Sequence, residues 1–90
     1  MGNDDFLKLC KETIVRLFNR DVDKTDGTVL TEDDVFIVWS CKTLQNNKAM
    51  VSTKISDGKY YELTYNGDKC ELYVDTYVKL KNEAIKIERK

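Results

Sequence analysis

The sequence predicts an α+β fold: an N-terminal helix, a four-stranded antiparallel β-meander and a C-terminal helix. Three observations predict it. Apolar residues recur at helical spacing over 3–20, alternate with polar ones between turn formers over 34–75, and return to helical spacing over 77–88. Ninety residues, 41% of them apolar, suffice for one small domain with a single core.

In the first element, Asn3–Arg20, the residues Phe6, Leu7, Cys10, Ile14, Leu17 and Phe18 share one side of a helix. Lys8, Lys11, Glu12 and Arg16 form the opposite, solvated side. Asn3 or Asp4 can cap the first amides, and Asp4 and Asp5 suit the positive end of the helix dipole. An acidic connector follows over 21–33, with five carboxylates of its own and Asp34 next in line against Lys24 alone. Its DVDKTDG stretch looks like the start of a calcium loop, but the register fails. Position six would be Asp26 where the sharp bend needs glycine, and position twelve, Glu32, leads into no second helix. Val29 and Leu30 either form a short strand or pin the connector to the core.

The meander spans Asp34–Asp75, with strands expected at Asp34–Leu44, Lys48–Ile55, Lys59–Tyr65 and Lys69–Asp75. Side chains alternate faces along a strand, and opposed residues of an antiparallel pair share a face, so the turns must keep the apolar sets together. Those sets are Val35, Ile37, Trp39 and Cys41, then Ala49, Val51, Thr53 and Ile55, then Tyr61, Leu63 and Tyr65, then Cys70, Leu72 and Val74. Parity rejects a two-residue turn at Asn46-Asn47 and favours Gln45-Asn46-Asn47, with Asn47 left-handed. It likewise selects Ser56-Asp57-Gly58, where Gly58 takes positive φ and Val51 opposes Leu63. The third turn, Asn66-Gly67-Asp68, satisfies parity whether Asn66-Gly67 or Gly67-Asp68 is central. In the last element, Tyr77, Leu80, Ala84 and Ile87 sit at helical spacing behind an Asp75 or Thr76 cap, and its far end is basic, as a helix C-terminus favours.

The residues supply little chemistry. Histidine is absent, which excludes Ser-His-Asp, Cys-His and His-ligated metal sites together. No Cys-x-x-Cys pair or glycine-rich phosphate loop occurs, so no catalytic residue, metal ligand or cofactor is expected. With 15 basic and 16 acidic residues the net charge is -1, which argues against generic nucleic-acid binding. Cys10, Cys41 and Cys70 leave an odd thiol and fall on apolar positions, so all three are expected buried and reduced. No apolar run reaches the length of a membrane span and the N-terminus lacks a basic, then apolar leader, so a cytoplasmic protein is expected.

The other side of the sheet carries the candidate site. The expected register builds the rows Val38–Lys54–Tyr60 and Ser40–Ser52–Glu62, flanked by Lys42, Met50, Glu71 and Tyr73. Ser40, Lys42, Ser52, Lys54, Tyr60, Glu62 and Tyr73 would then combine hydroxyls, cations and aromatic rings, a set suited to a small anionic ligand carrying bases. Uncovered apolar side chains on that face and two free sheet edges predict self-association, as a homodimer or higher oligomer.

The run VFIVWSCKTLQNNKAMVSTKISDGKYYELTYNG resembles a small, uncharacterised family of proteins encoded by phages and prophages of Gram-positive bacteria. The resemblance covers much of the chain from Asp34 onward and, more loosely, the first helix. It implies an accessory binding protein of the host cytoplasm rather than an enzyme, with counter-defence as the role. Two modes are then open: a homo-oligomeric sponge for a nucleotide second messenger, or a protein–protein interaction module that inhibits or adapts a host protein.

Overall fold

A computed structural model describes residues 1–21, 29–55 and 57–88. Helix α1 spans Asn3–Asp21, and the Gly2 carbonyl accepts its first helical bond, from the Phe6 amide at 3.0 Å. A single 3-10 turn, Glu32–Asp34, precedes four strands: β1 (Val35–Thr43), β2 (Asn46–Thr53), β3 (Lys59–Asn66) and β4 (Glu71–Val78). They form one antiparallel sheet in the order β1-β2-β3-β4, the expected meander.

Helix α1 packs on one face of the sheet, termed inner, against β1 and β2. Phe6, Cys10 and Ile14 from the helix meet Val35, Ala49, Val51, Tyr61 and Leu63 from the strands. Leu30, 2% exposed, joins them from the end of the connector. Its backbone is held at two points by the Asn19 side chain: Nδ2 donates to the Leu30 carbonyl and Oδ1 accepts from the Leu30 amide, each at 3.0 Å. Leu30 thus pins the connector, one of the two roles open to it, while Val29 is exposed. The EF-hand-like residues 22–28 lie outside the described residues. Just after the connector, the Asp34 carboxylate accepts from the Thr31 amide at 2.9 Å and the Thr31 hydroxyl at 3.0 Å. Those two bonds, the backbone one foremost, hold its pKa below the usual value, and Lys54 adds to the effect.

The pairing of β1 with β2 differs from expectation along its whole length, and in one place the difference changes which side chains face the core. The expected rows set Ile37 opposite Ile55 and Trp39 opposite Thr53. Instead Val35 and Ile37 face Thr53 and Val51, a slip of four residues that keeps both on their expected face, and beyond Ile37 the pairing shifts by one residue so that Trp39 opposes Met50. Val38 is therefore the extra residue of a β-bulge. The bulge supplies the odd residue that parity demanded of the first turn, so a two-residue turn, Leu44-Gln45, closes the hairpin and Leu44 rather than Asn47 is left-handed, with φ 55°. The inner apolar set keeps Val35 and Ile37 and loses Trp39 and Cys41, which turn to the opposite, outer face.

The other two turns keep the expected parity with longer loops. Val51 pairs with Tyr61 and Ala49 with Leu63, a shift of two residues that leaves every side chain on its expected face, and Gly58 has φ 70° as predicted. Between β3 and β4, Asn66 pairs with Glu71, and its side-chain oxygen accepts from the amides of Asp68 and Lys69. Cys70 ends this loop at φ 53°, outside the strand and exposed. Of the three thiols expected to be buried only Cys10 is, its burial pushing the thiol pKa up to about 12; Cys41 and Cys70 are exposed.

The C-terminal helix expected at 77–88 is not formed. Tyr77 and Val78 instead extend β4 opposite Tyr60 and Lys59, and the Lys79 amide donates to the Gly58 carbonyl at 2.6 Å. Aromatic and β-branched residues favour the half-buried strand. What remains, 79–88, is shorter than the ~12–15 residues a helix needs to hold without packing. Leu80, Ile85 and Ile87 are all highly exposed, so no core face supports such a helix.

Candidate functional site

The outer face is built from four cross-strand rows. Phe36–Ser52–Tyr60–Tyr77 lies nearest the start of β1, followed by Trp39–Met50–Glu62–Asp75, Cys41–Lys48–Thr64–Tyr73 and Thr43–Asn46–Asn66–Glu71. Phe36, Val38, Trp39, Tyr73 and Tyr77 are each between 40 and 49% exposed, and Met50 and Tyr60 are half-buried among them. Rings and aliphatic groups run along β1 and cross the first row to β4, Glu62 and Asp75 separate Tyr73 from them, and a hollow of about 220 Å³ lined by Cys41, Thr43, Asn46, Lys48 and Thr64 opens beside them. Charged groups sit among them in partnered form: Lys48 Nζ lies 3.3 Å from Glu62 Oε1, and the Tyr73 hydroxyl donates to Glu71, which raises the Tyr73 pKa.

Four of the seven expected site residues share this face: Ser52, Tyr60, Glu62 and Tyr73. The Ser52 hydroxyl already donates to the Lys59 carbonyl at 2.9 Å, leaving the residue 7% exposed. The other three lie elsewhere. Ser40 and Lys42 follow the Val38 bulge and are paired with Ala49 and Asn47, so they belong to the inner side, where Lys42 Nζ donates to the Met1 carbonyl at 3.0 Å. Lys54 lies beyond the end of β2, exposed, with its amide bonded to the Asp34 carbonyl. The structure therefore brings together the aromatic half of the expected site and disperses its cations.

A second concavity, not singled out by the sequence, opens on the inner side where α1 ends short of β4. This cleft of about 430 Å³ is walled by Leu17, Phe18, Tyr61 and Val74, with Arg20, Asp21, Lys59 and Thr76 also lining it. Arg20 and Asp21 are engaged with each other at 2.9 Å; that hydrogen bond lowers the Asp21 pKa, and Lys59 contributes. Tyr61 titrates above its ordinary value because it is desolvated. Its signal in the sequence would have been the length of α1, which covers two strands of a four-stranded sheet and leaves the far inner corner open.

No group of three or more metal-ligating side chains occurs among the described residues, and no described helix is long and apolar enough to cross a membrane. A family model described as a family of unknown function, DUF6275, matches residues 7–87. The chain belongs to that family. No curated protein and no solved structure matches it. In this DUF6275 chain the matched span opens in the first turns of α1 and takes in all four strands and most of the tail, so the family corresponds to the whole fold, with both faces of the sheet.

Proposed function

We propose that this DUF6275 protein is a binding module without chemistry of its own, which presents the outer face of its sheet to a partner polypeptide. The observation that carries the reading is the uncovered strip of Phe36, Val38, Trp39, Met50, Tyr60, Tyr73 and Tyr77. Aromatic side chains and Met are the residue types enriched in protein-binding patches, and the charged Lys48 and Glu62 interleaved with them are paired with each other. A contiguous apolar surface of this kind marks a contact site on most proteins that carry one.

The nucleotide-sponge reading has less support. A small anionic ligand calls for a concave site with convergent donors, whereas the hollow on this face holds one cation, Lys48, already paired with Glu62, Ser52 is engaged within the chain, and Lys42 and Lys54 lie off the face. The phage setting rests on the sequence resemblance; within it, the module would act in the host cytoplasm by blocking or adapting a host protein, counter-defence included.

Capture from host extract with wild type and with a Trp39→Ser/Tyr73→Ser variant tests the reading, beside thermal shifts against cyclic dinucleotides and ADP-ribose derivatives. The expected result is a captured polypeptide that the double variant loses and a flat thermal-shift panel. A nucleotide that stabilises wild type, by about 2.7 kcal/mol at one hundred times its dissociation constant, would replace this proposal with the sponge.

A further inference from the structure

We infer that β4 is a self-pairing edge, through which two copies of this chain join their sheets antiparallel into one sheet of eight strands. The two edges of the sheet are unlike. β1 is interrupted by the Val38 bulge and preceded by the acidic turn Glu32–Asp34, devices that spoil an edge as a template. β4 carries neither: its eight residues pair with β3 without a break in register and contain no glycine or proline. Its outward ladder of amides and carbonyls is a ready partner for another strand.

Charge selects both the partner and the direction. Glu71 opens the strand, with Asp68 and Lys69 offsetting each other in the loop before it, and Lys79 and Lys81 follow its end. A parallel copy would set like against like, whereas an antiparallel copy brings the acidic start of one β4 to the basic end of the other. The alternation then limits the register. Opposed residues must share a face; a two-fold axis through residue 75 pairs all of Leu72, Val74, Thr76 and Val78 with one another, and an axis through residue 74 or 76 pairs three of the four. With the axis at Asp75, Glu71 faces the partner's Lys79 and Tyr73 the partner's Tyr77, but the two Asp75 carboxylates oppose each other. With the axis at Thr76, Glu71 faces the partner's Lys81 and Asp75 the partner's Tyr77, so charge favours the second register. In any of these the inner clefts of the two copies meet across the joint, and both outer strips lie on the same side. The pairing rests on the edge and its charges, not on what the outer face binds.

Analytical ultracentrifugation at micromolar concentration should give twice the chain mass for wild type and one chain mass for Thr76→Lys, which puts an inward-pointing charge on an exposed edge position. Circular dichroism checks that this variant remains folded. In a Cys41→Ser/Cys70→Ser background, Val74→Cys, Asp75→Cys and Thr76→Cys are each exposed to oxidised glutathione. One of the three should cross-link within minutes, because opposed Cα atoms in an antiparallel pair stand within disulfide reach. A monomeric wild type overturns the inference. So does a dimer that Thr76→Lys leaves intact, or one in which none of the three cysteines cross-links.

Discussion

The two faces of this sheet are written in the same alternating code and end in different states. On the inner face Ala49, Val51 and Leu63 are sealed under α1, with Phe6, Cys10 and Ile14 packed against them. On the outer face Trp39, Tyr73 and Phe36 have comparable or greater apolar bulk and remain two-fifths or more exposed. Hydrophobicity decides which residues can be buried, but the supply of covering elements decides which are. One helix of 19 residues covers one face of two strands, and the segment expected to supply a second helix gives Tyr77 and Val78 to β4 and leaves Leu80, Ile85 and Ile87 exposed. The difference teaches that alternation marks which side chains a sheet can bury, while the reach of the covering helix marks which it does bury.

Substitutions graded by size break or sharpen that contrast. The largest effect is expected from Leu63→Ala, which empties a fully buried inner position and should cost about 2–5 kcal/mol in urea unfolding. A loss under about 1 kcal/mol, the scale of a surface change, would mean the inner face is not the core. Gly58→Val should cost at least about 1 kcal/mol, since a β-branched residue strongly resists φ 70°; an unmoved midpoint would deny the left-handed turn. Asn47 sits on the inner face 1% exposed, and neither polar atom of its side chain finds a partner among the described groups. Asn47→Leu should therefore raise stability by about 1 kcal/mol by removing an unsatisfied amide of similar volume, and a lowered melting temperature would refute that reason.

The Asp34 contribution is smaller and depends on pH. Its folded pKa lies below the ordinary 3.8, so its stabilisation is complete above about that pH and is lost as pH falls through the lowered folded value. The gap in unfolding midpoint between wild type and Asp34→Ala should narrow on acidification; a gap that widens has the wrong sign for this linkage. The smallest change in stability is expected on the outer face, where Trp39→Ser should stay within about 0.5 kcal/mol while abolishing partner capture. Thiol kinetics report the same contrast directly: Cys41 and Cys70 should react at once with a small reagent, and Cys10, buried and pushed up to about 12, only on opening.

Much of this fold was legible in the sequence, for reasons that individual residues show. Asp57-Gly58 and Asn66-Gly67 carry turn chemistry that announces itself, so the face of every residue on β2, β3 and β4 follows from alternation even though the loops are longer than expected. The bulge was hidden because Val38 is as good a strand residue as its neighbours. Leu44 and Cys70 were hidden because neither is a residue type that favours positive φ. The tail misled differently: Tyr77, Leu80, Ala84 and Ile87 do recur at helical spacing, but spacing alone does not provide a surface to pack on. As for the site, its rings and carboxylate were found, and its cations were lost to the bulge and to the end of β2.

Val38 also acts as a one-residue phase shift within β1. Residues before it and after it are addressed to opposite sides of the sheet, so the chain carries two readings of the same strand separated by a single codon. Deleting Val38 would let inward Ile37 run directly into outward Trp39, so the alternation would become unbroken while Trp39 and Cys41 kept the outer face and Ser40 and Lys42 the inner. A shortened chain of that kind would lose the kink that marks this edge of the sheet and keep every remaining side chain of β1 on the side it now occupies.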